Sequence, residues 1–222
     1  MRRRLRLLAP VLATALLACL LVGPGPARSA VPVAGRDAVR VSDLPSVRQV
    51  AKIFPFLRGG SRSTYRAEDL SVRGRSCIYY RSVPATQVRW SGYATSTGDS
   101  PYFQGRQEPG FFIYRFTDVA TAHAAMKVLR TYVQRCRGRH ARDGSAVTLA
   151  RFAPGPLGQE RVGYEALRDN NGAGSGDYTD RELSVFVRHG RTVLESRIQV
   201  DDGRPSRRAA HRMATLLLRT SR

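Results

Sequence analysis

One segment constrains the fold more than any other: FTDVATAHAAMKVLRTYVQRCRGR, residues 116–139. Its apolar residues recur at alternating steps of three and four, which predicts an amphipathic helix capped by Thr117 or Asp118. The buried stripe comprises Val119, Ala122, Met126, Leu129, Val133 and Cys136. Because Cys136 lies on this stripe, it can reach a strand packed beneath the helix. Cys77 begins such a β-like segment, CIYYRSV.

The first 29 residues are typical of a secretory signal peptide. The basic MRRRLR is followed by the apolar LLAPVLATALLACLLV and by the small-residue exit GPGPARSA, which predicts cleavage after Ser29. The alternative is a lipobox, because LLAC ends at Cys19, and lipidation of Cys19 would tether the protein to the outer face of the membrane. We therefore expect a secreted or extracytoplasmic protein, with a lipid anchor as the alternative.

Export leaves Cys77 and Cys136 as the two remaining cysteines of the chain. In an oxidising compartment, an even pair at long separation is most simply a disulfide. The alternative is a free catalytic thiol, which would need a histidine partner in an electropositive pocket. The sequence favours the disulfide and gives it a structural role.

The remaining chain divides into a leader, residues 30–41, and one domain, residues 42–222. A short first helix is predicted in SDLPSVRQVAKIFPF, with Ser42 or Asp43 as its cap and Pro55 at its end. LRGGSRST is predicted as a loop. A last helix follows Asp202, with Ala210, Met213, Ala214 and Leu217 as its buried face.

Period-two patterns fill the space between these helices. TQVRWSGYAT and FFIYRF precede the middle helix, and AVTLARF, ERVGYEALR, RELSVFVRHG and RTVLESRIQV follow it. The last two segments meet in a hairpin at Gly190, and the polar DNNGAGSGDYTD lies before them as a loop. The order predicts an α+β fold: a central, mostly antiparallel sheet packed with an N-terminal, a middle and a C-terminal helix, with one disulfide.

Motifs for catalysis and metal binding are not found in the sequence. GAGSG, residues 172–176, lacks the Gly-Lys-Ser/Thr ending of a phosphate loop, and G-x-S-x-G, H-E-x-x-H and C-x-x-C do not occur. The four histidines have no ligand spacing. Four glutamates on predicted strands could supply a carboxylate pair, although pairing with arginine is favoured: Glu160, Glu165, Glu182 and Glu195. We expect no metal, no cofactor and no enzymatic activity.

Aromatic and basic residues mark the candidate binding surfaces. Tyr80, Arg89 and Trp90 lie close together in the sequence and are our candidates for a ligand groove. The net charge is +20, with 37 basic against 17 acidic residues, so an anionic cell-envelope polymer or lipid is a second class of partner. Nucleic acid is a poor partner for an exported protein. Ligand identity and oligomeric state do not follow from these patterns.

This combination of features resembles the PknH-like extracellular sensor domain of actinobacterial kinases, lipoproteins and secreted proteins. The resemblance lies in DLPSVRQVAK, SCIYY and FFIYRFTDVATAHAAMKVLRTYVQRC, followed by paired strands and a C-terminal helix. It implies an α+β domain with a ligand groove and no catalytic residues. Members often have a second disulfide, for which this chain lacks the cysteines.

The resulting expectation is an exported, non-catalytic, sensor-type ligand-binding domain of the cell envelope. The alternative is a cationic protein that associates with anionic wall polymer or lipid through its arginines. A hydrolase with a carboxylate pair is a third hypothesis, which would show two acids converging in a cleft with perturbed pKa values.

Overall fold

The computed structural model describes residues 38–170, 178–201 and 203–222. The predicted signal peptide, Cys19, most of the leader and the glycine-rich run at 172–176 lie outside the described residues. Asp202, the predicted cap of the last helix, lies outside them as well.

Within the described residues, eight strands form one sheet in the order β1-β2-β3-β8-β7-β6-β5-β4, and every neighbouring pair is antiparallel. The strands are β1 Ser61–Arg73, β2 Tyr80–Ala94, β3 Glu108–Arg115, β4 Gly138–Arg142, β5 Ser145–Phe152, β6 Glu160–Asn170, β7 Tyr178–His189 and β8 Thr192–Val200. The α-helices are α1 Val47–Val50, α2 Val119–Arg135 and α3 Arg207–Thr220. The predicted α+β class is confirmed.

The helices cover opposite faces of the sheet. The apolar stripe of α2 packs in one core with side chains such as Val162, Tyr164 and Phe186, which point to that face from β6 and β7. The other face packs against α1 and α3, in a core that includes Phe111 and Leu194. Because successive strand residues point to opposite faces, each central strand contributes to both cores.

The disulfide joins Cys77 to Cys136, with a Cα–Cα distance of 5.5 Å. Cys136 ends α2, as the periodicity predicts, but the prediction that Cys77 opens a strand is wrong. Cys77 lies in the connection between β1 and β2 with φ of 61°, and β2 begins at Tyr80. The register of β1 against β2 shifts between Ala67 and Asp69, and beyond that irregularity Leu70 and its neighbours join the core under α2.

Asp118 caps α2 as predicted, whereas α1 and α3 begin at other residues than predicted, and for α1 the reason is a proline. Leu44 is extended (φ −92°, ψ 142°), as expected of a residue that precedes proline, so α1 begins after Pro45 and is capped by Ser46 rather than by Ser42 or Asp43. In α3 the cap is Ser206, whose hydroxyl accepts from the Ala209 amide. LRGGSRST is not wholly a loop, because β1 begins at Ser61.

Candidate functional site

A cavity of about 390 Å³ opens on the α2 face of the sheet. Side chains of β2, β3, β6, β7 and β8 form its floor. The turn end of the β1–β2 hairpin closes another side with three residues, Asp69, Ser71 and Tyr80. The register irregularity in β1 therefore matters to the site, because the hairpin residues that close the cavity follow it.

One wall of the cavity is formed by the rings of Trp90 and Phe112, and Tyr65, which does not line the cavity, extends their stack. Tyr65, Trp90 and Phe112 are consecutive cross-strand neighbours on β1, β2 and β3. The ring centroids of Tyr65 and Trp90 are 4.4 Å apart, and those of Trp90 and Phe112 are 5.6 Å apart. Since Tyr65 and Phe112 stack on either side of Trp90, the indole is fixed within an apolar wall.

The floor of the cavity holds two buried carboxylates. Glu182 on β7 accepts hydrogen bonds from the hydroxyls of Tyr164 (2.7 Å) and Ser184 (3.0 Å) at Oε1 and from Arg168 at Oε2. Glu195 on β8 accepts a hydrogen bond from the Tyr114 hydroxyl at Oε2 (2.7 Å). The other oxygen of Glu195, Oε1, is 3.4 Å from the hydroxyl of the same Ser184. The two carboxylates therefore belong to one hydrogen-bond network.

Their surroundings move their pKa values in opposite directions. Burial alone would raise the pKa of Glu182, but the charges of Arg168 and then Arg197 outweigh it and lower the pKa to about 2. For Glu195, burial is the main cause and raises the pKa, Arg197 opposes it, and repulsion from Glu182 adds to it. Glu182 is thus the permanently charged member of the network, and Glu195 is the member that is more easily protonated.

Arg197 lies between these groups on β8. Its guanidinium carbon is 4.4 Å from the centroid of the Phe112 ring, and its Nη1 is 4.0 Å from Oε2 of Glu182. Its cross-strand neighbour on β3 is Gly110, which has no side chain to meet it. Within the described residues, no acceptor lies within hydrogen-bond distance of the Arg197 guanidinium.

Tyr80 forms the exposed rim of the site. Its side chain is 56% exposed, its hydroxyl accepts from Arg73 Nη2 at 3.0 Å, and the Arg73 guanidinium lies over its ring at 4.5 Å. Arg73 itself is buried and also donates to the carbonyl of Ile78. Arg73 therefore holds Tyr80 in place at the mouth of the cavity.

The structure brings together two of the three predicted groove residues. Tyr80 and Trp90 both line the cavity, but Arg89 does not. Arg89 donates from Nε to the carbonyl of Val39 (2.6 Å) and lines a separate pocket. The reason is the pleat of β2: neighbours in a strand face opposite sides, so Arg89 and Trp90 cannot share a groove on one face of the sheet.

The predicted carboxylate pair occurs in part. Glu182 and Glu195 converge in the cavity, whereas Glu160 and Glu165 lie elsewhere and pair with arginines. A pair with separated pKa values is what acid–base catalysis uses. However, both oxygens of Glu182 already accept hydrogen bonds from protein donors, two at Oε1 and one at Oε2, which fits a structural role.

A larger cavity of about 470 Å³ lies between α2 and the segment that joins β5 to β6. It is lined by the partly buried Glu160, which is held by Arg130 (2.6 Å), His123 (2.8 Å) and Arg188. Burial opposes ionisation there, but these hydrogen bonds lower the pKa of Glu160 to about 2. We take the smaller cavity as the candidate site, because it also holds an arginine and an aspartate whose side chains have no hydrogen-bond partner among the described residues.

Two further findings concern metals and membranes. In the ranges that the structure describes, no group of three or more His, Cys, Asp and Glu side chains converges as a metal site. None of the helices found in those ranges is both long enough and apolar enough to cross a membrane.

No protein-family model and no curated protein matches the sequence. Solved structures that are similar to it include the following two. The extracellular domain of PknH from Mycobacterium tuberculosis matches with a TM-score of 0.48 and 10% identity, over 81% of this chain and 92% of that chain. An uncharacterized protein from Mycobacterium smegmatis matches with a TM-score of 0.48 and 8% identity, over 80% of this chain and 97% of that chain.

Proposed function

We propose that this chain is an exported, non-catalytic, sensor-type domain of the cell envelope that binds a small ligand in the cavity beside Trp90. The observation that carries the proposal is the make-up of this cavity. A fixed aromatic wall and a carboxylate that accepts three hydrogen bonds from the protein surround open space, and they leave Arg197 and Asp69 available to an occupant. Ligand sites in proteins commonly combine an apolar lining with a few placed polar groups.

The network beneath the cavity supports binding over catalysis. A binding site needs side chains that keep one conformation, and Glu182 is held from three directions by Tyr164, Ser184 and Arg168. Such second-layer contacts place the groups that meet a ligand. Export is supported by the predicted signal peptide and by the disulfide, which is typical of oxidising compartments.

The proposal predicts that filling the cavity abolishes ligand binding without unfolding the protein. Ser71 lines the cavity and is exposed, so Ser71→Phe places a ring in the open space. We expect the small-molecule fraction of an envelope extract from the source organism to raise the melting temperature of the wild type but not of Ser71→Phe. The measurement is a thermal shift in high salt, which screens surface charge over about 10 Å at 0.1 M.

Ser63→Phe is the matched control, because Ser63 is an exposed serine on the same strand that does not line the cavity. It should respond to the extract as the wild type does. Equal stabilisation of Ser71→Phe, or no stabilisation of the wild type, would contradict the proposed function.

The basic surface of α3 favours a second function, association with an anionic envelope surface. Its exposed arginines are Arg207, Arg208, Arg212 and Arg219. Arg212 also donates to the carbonyl of Lys52 (2.7 Å), which brings the basic residues that follow α1 next to this helix. A helix face of this kind is attracted to anionic lipid or polymer.

This second function predicts salt-sensitive binding. The protein should sediment with anionic phospholipid vesicles at low salt and be released at high salt. The double variant Arg208→Glu with Arg219→Glu should bind more weakly, whereas Arg137→Glu with Arg139→Glu, exposed arginines outside α3, should change binding less. Equal loss in both double variants would assign the effect to net charge rather than to α3.

A further inference from the structure

We propose that the cavity takes a compact zwitterion, such as an amino acid with an apolar side chain, whose carboxylate binds Arg197 and whose ammonium group binds Asp69. This inference rests on the proposed function, since it names the class of ligand for the same cavity. It starts from two charged groups that line one cavity. Asp69 has no hydrogen-bond or ion-pair partner for its carboxylate among the described residues, and Arg197 has no acceptor closer than 4.0 Å.

Arg197 is the first of these groups. It offers five N–H donors in a planar fork, a geometry that matches a carboxylate. Its nearest charged acceptor, Oε2 of Glu182, is 4.0 Å away and is already bonded by Arg168. A side chain that is 30% exposed, faces a cavity and has no acceptor among the described residues is positioned to receive one from a ligand.

Asp69 is the second. It lies on β1 after the register irregularity and lines the cavity from the hairpin side. Within the described residues the carboxylate of Asp69 makes neither a hydrogen bond nor an ion pair, although the chain has 37 basic residues. It also does not pair with Arg197, so the two opposite charges remain separate across the cavity. One molecule that carries both charges satisfies both groups.

The remaining lining fits such a ligand. Glu195 partly neutralises Arg197 and so competes with a ligand carboxylate for it. Burial and the charge of Glu182 raise the pKa of Glu195, which favours its neutral form and weakens this competition. The Oε1 atom of Glu195 lies 3.4 Å from the Ser184 hydroxyl, which donates to Glu182 at the shorter distance of 3.0 Å, so this oxygen can accept from an ammonium group. The Trp90 and Phe112 rings supply the apolar surface for a side chain.

Four phenyl probes of similar shape test the charge pattern. They are phenylalanine (zwitterion), 3-phenylpropionate (anion), 2-phenylethylamine (cation) and N-acetylphenylalanine amide (neutral). Trp90 is the only tryptophan of the chain and lines the cavity, so its fluorescence, excited where phenyl groups do not absorb, reports binding directly. We expect phenylalanine to bind at least about tenfold more tightly than any of the other three.

Asp69→Asn should remove the advantage of phenylalanine over 3-phenylpropionate, because the amine then loses its charged partner. Asp201→Asn, which removes an exposed aspartate elsewhere, should preserve the advantage. Tighter binding of either singly charged probe, or an unchanged preference in Asp69→Asn, would overturn the zwitterion. If no probe alters Trp90 fluorescence while the extract still stabilises the wild type and not Ser71→Phe, this inference fails and the proposed function stands.

Discussion

Replacing Glu182 by glutamine is expected to destabilise the protein by about 3 kcal/mol at neutral pH. Removing one member of a buried ion pair costs about 3–5 kcal/mol, because the partner charge stays buried without compensation. The lower end applies here, since Arg168 keeps Asp180 as a second partner, with Nε 3.2 Å from Oδ1. Denaturant unfolding of the two proteins measures the difference.

The effect should depend on pH in a defined direction. The folded-state pKa of Glu182 is lowered to about 2, so its ionised form stabilises the folded protein above the unfolded pKa near 4.5. That contribution is lost as the pH falls through the folded pKa. The difference between wild type and Glu182→Gln should therefore narrow as the pH falls from about 5 to 3. A constant difference over this range would contradict the assigned charge state.

Glu195→Gln is the matched control in the same network. The pKa of Glu195 is raised, so the folded protein favours the neutral form, and that stability is lost as the pH rises through the folded pKa. A neutral glutamine still accepts from the Tyr114 hydroxyl. We expect a change within about 1 kcal/mol at neutral pH. Equal losses of unfolding free energy in Glu182→Gln and Glu195→Gln would contradict the different charge states that we assign to the two carboxylates.

The contrast between these glutamates shows what the sequence reveals about the site. The sequence predicts that both carboxylates lie on strands, but their roles depend on which side chains the sheet places beside them. A sequence signal did exist. In TVLESRIQV, Glu195 and Arg197 occupy one face of a strand whose other face is apolar, and Glu182 and Ser184 do so in RELSVFV. Charged residues at inward positions of two strands indicate a buried polar site, but not their cross-strand pairing.

The unpredicted strands have a physical explanation as well. GRHAR, which forms β4, has no strand pattern, and β1 has only a general β-like character from Tyr65 onward; these two strands are the edges of the sheet. Edge strands carry charged and polar side chains that discourage pairing with other chains, so they lack the apolar alternation by which central strands are recognised. FFIYRF and RTVLESRIQV, in contrast, lie at the centre and were predicted from their pattern.

Removing the disulfide is expected to destabilise the protein by about 4 kcal/mol. Cys77 and Cys136 are 59 residues apart, and the chain-entropy model gives about that value for a closed loop of this length. For a chain of this size the loss corresponds to a fall of roughly 8–16 °C in melting temperature. Thermal melts of the wild type and of Cys77→Ala with Cys136→Ala measure it.

Reductant should have little effect on the native protein unless denaturant is added. Cys77 is 2% exposed and Cys136 is fully buried, so a reductant cannot reach either sulfur before local unfolding. The double variant must not respond to reductant at all. If the wild type melts at the same temperature as the double variant, the disulfide makes no contribution to stability.

A second variant separates the covalent bond from the backbone around it. Cys77 has φ of 61°, a left-handed conformation that costs a residue with a Cβ about 1–2 kcal/mol and costs glycine almost nothing. In the double alanine variant, Ala at position 77 still has the cost of the left-handed conformation, although the disulfide that holds this turn against α2 is absent. Cys77→Gly with Cys136→Ala should therefore be about 1 kcal/mol more stable than the double alanine variant. The order reverses if the turn relaxes when the disulfide is lost, because glycine then contributes only its greater unfolded-state entropy.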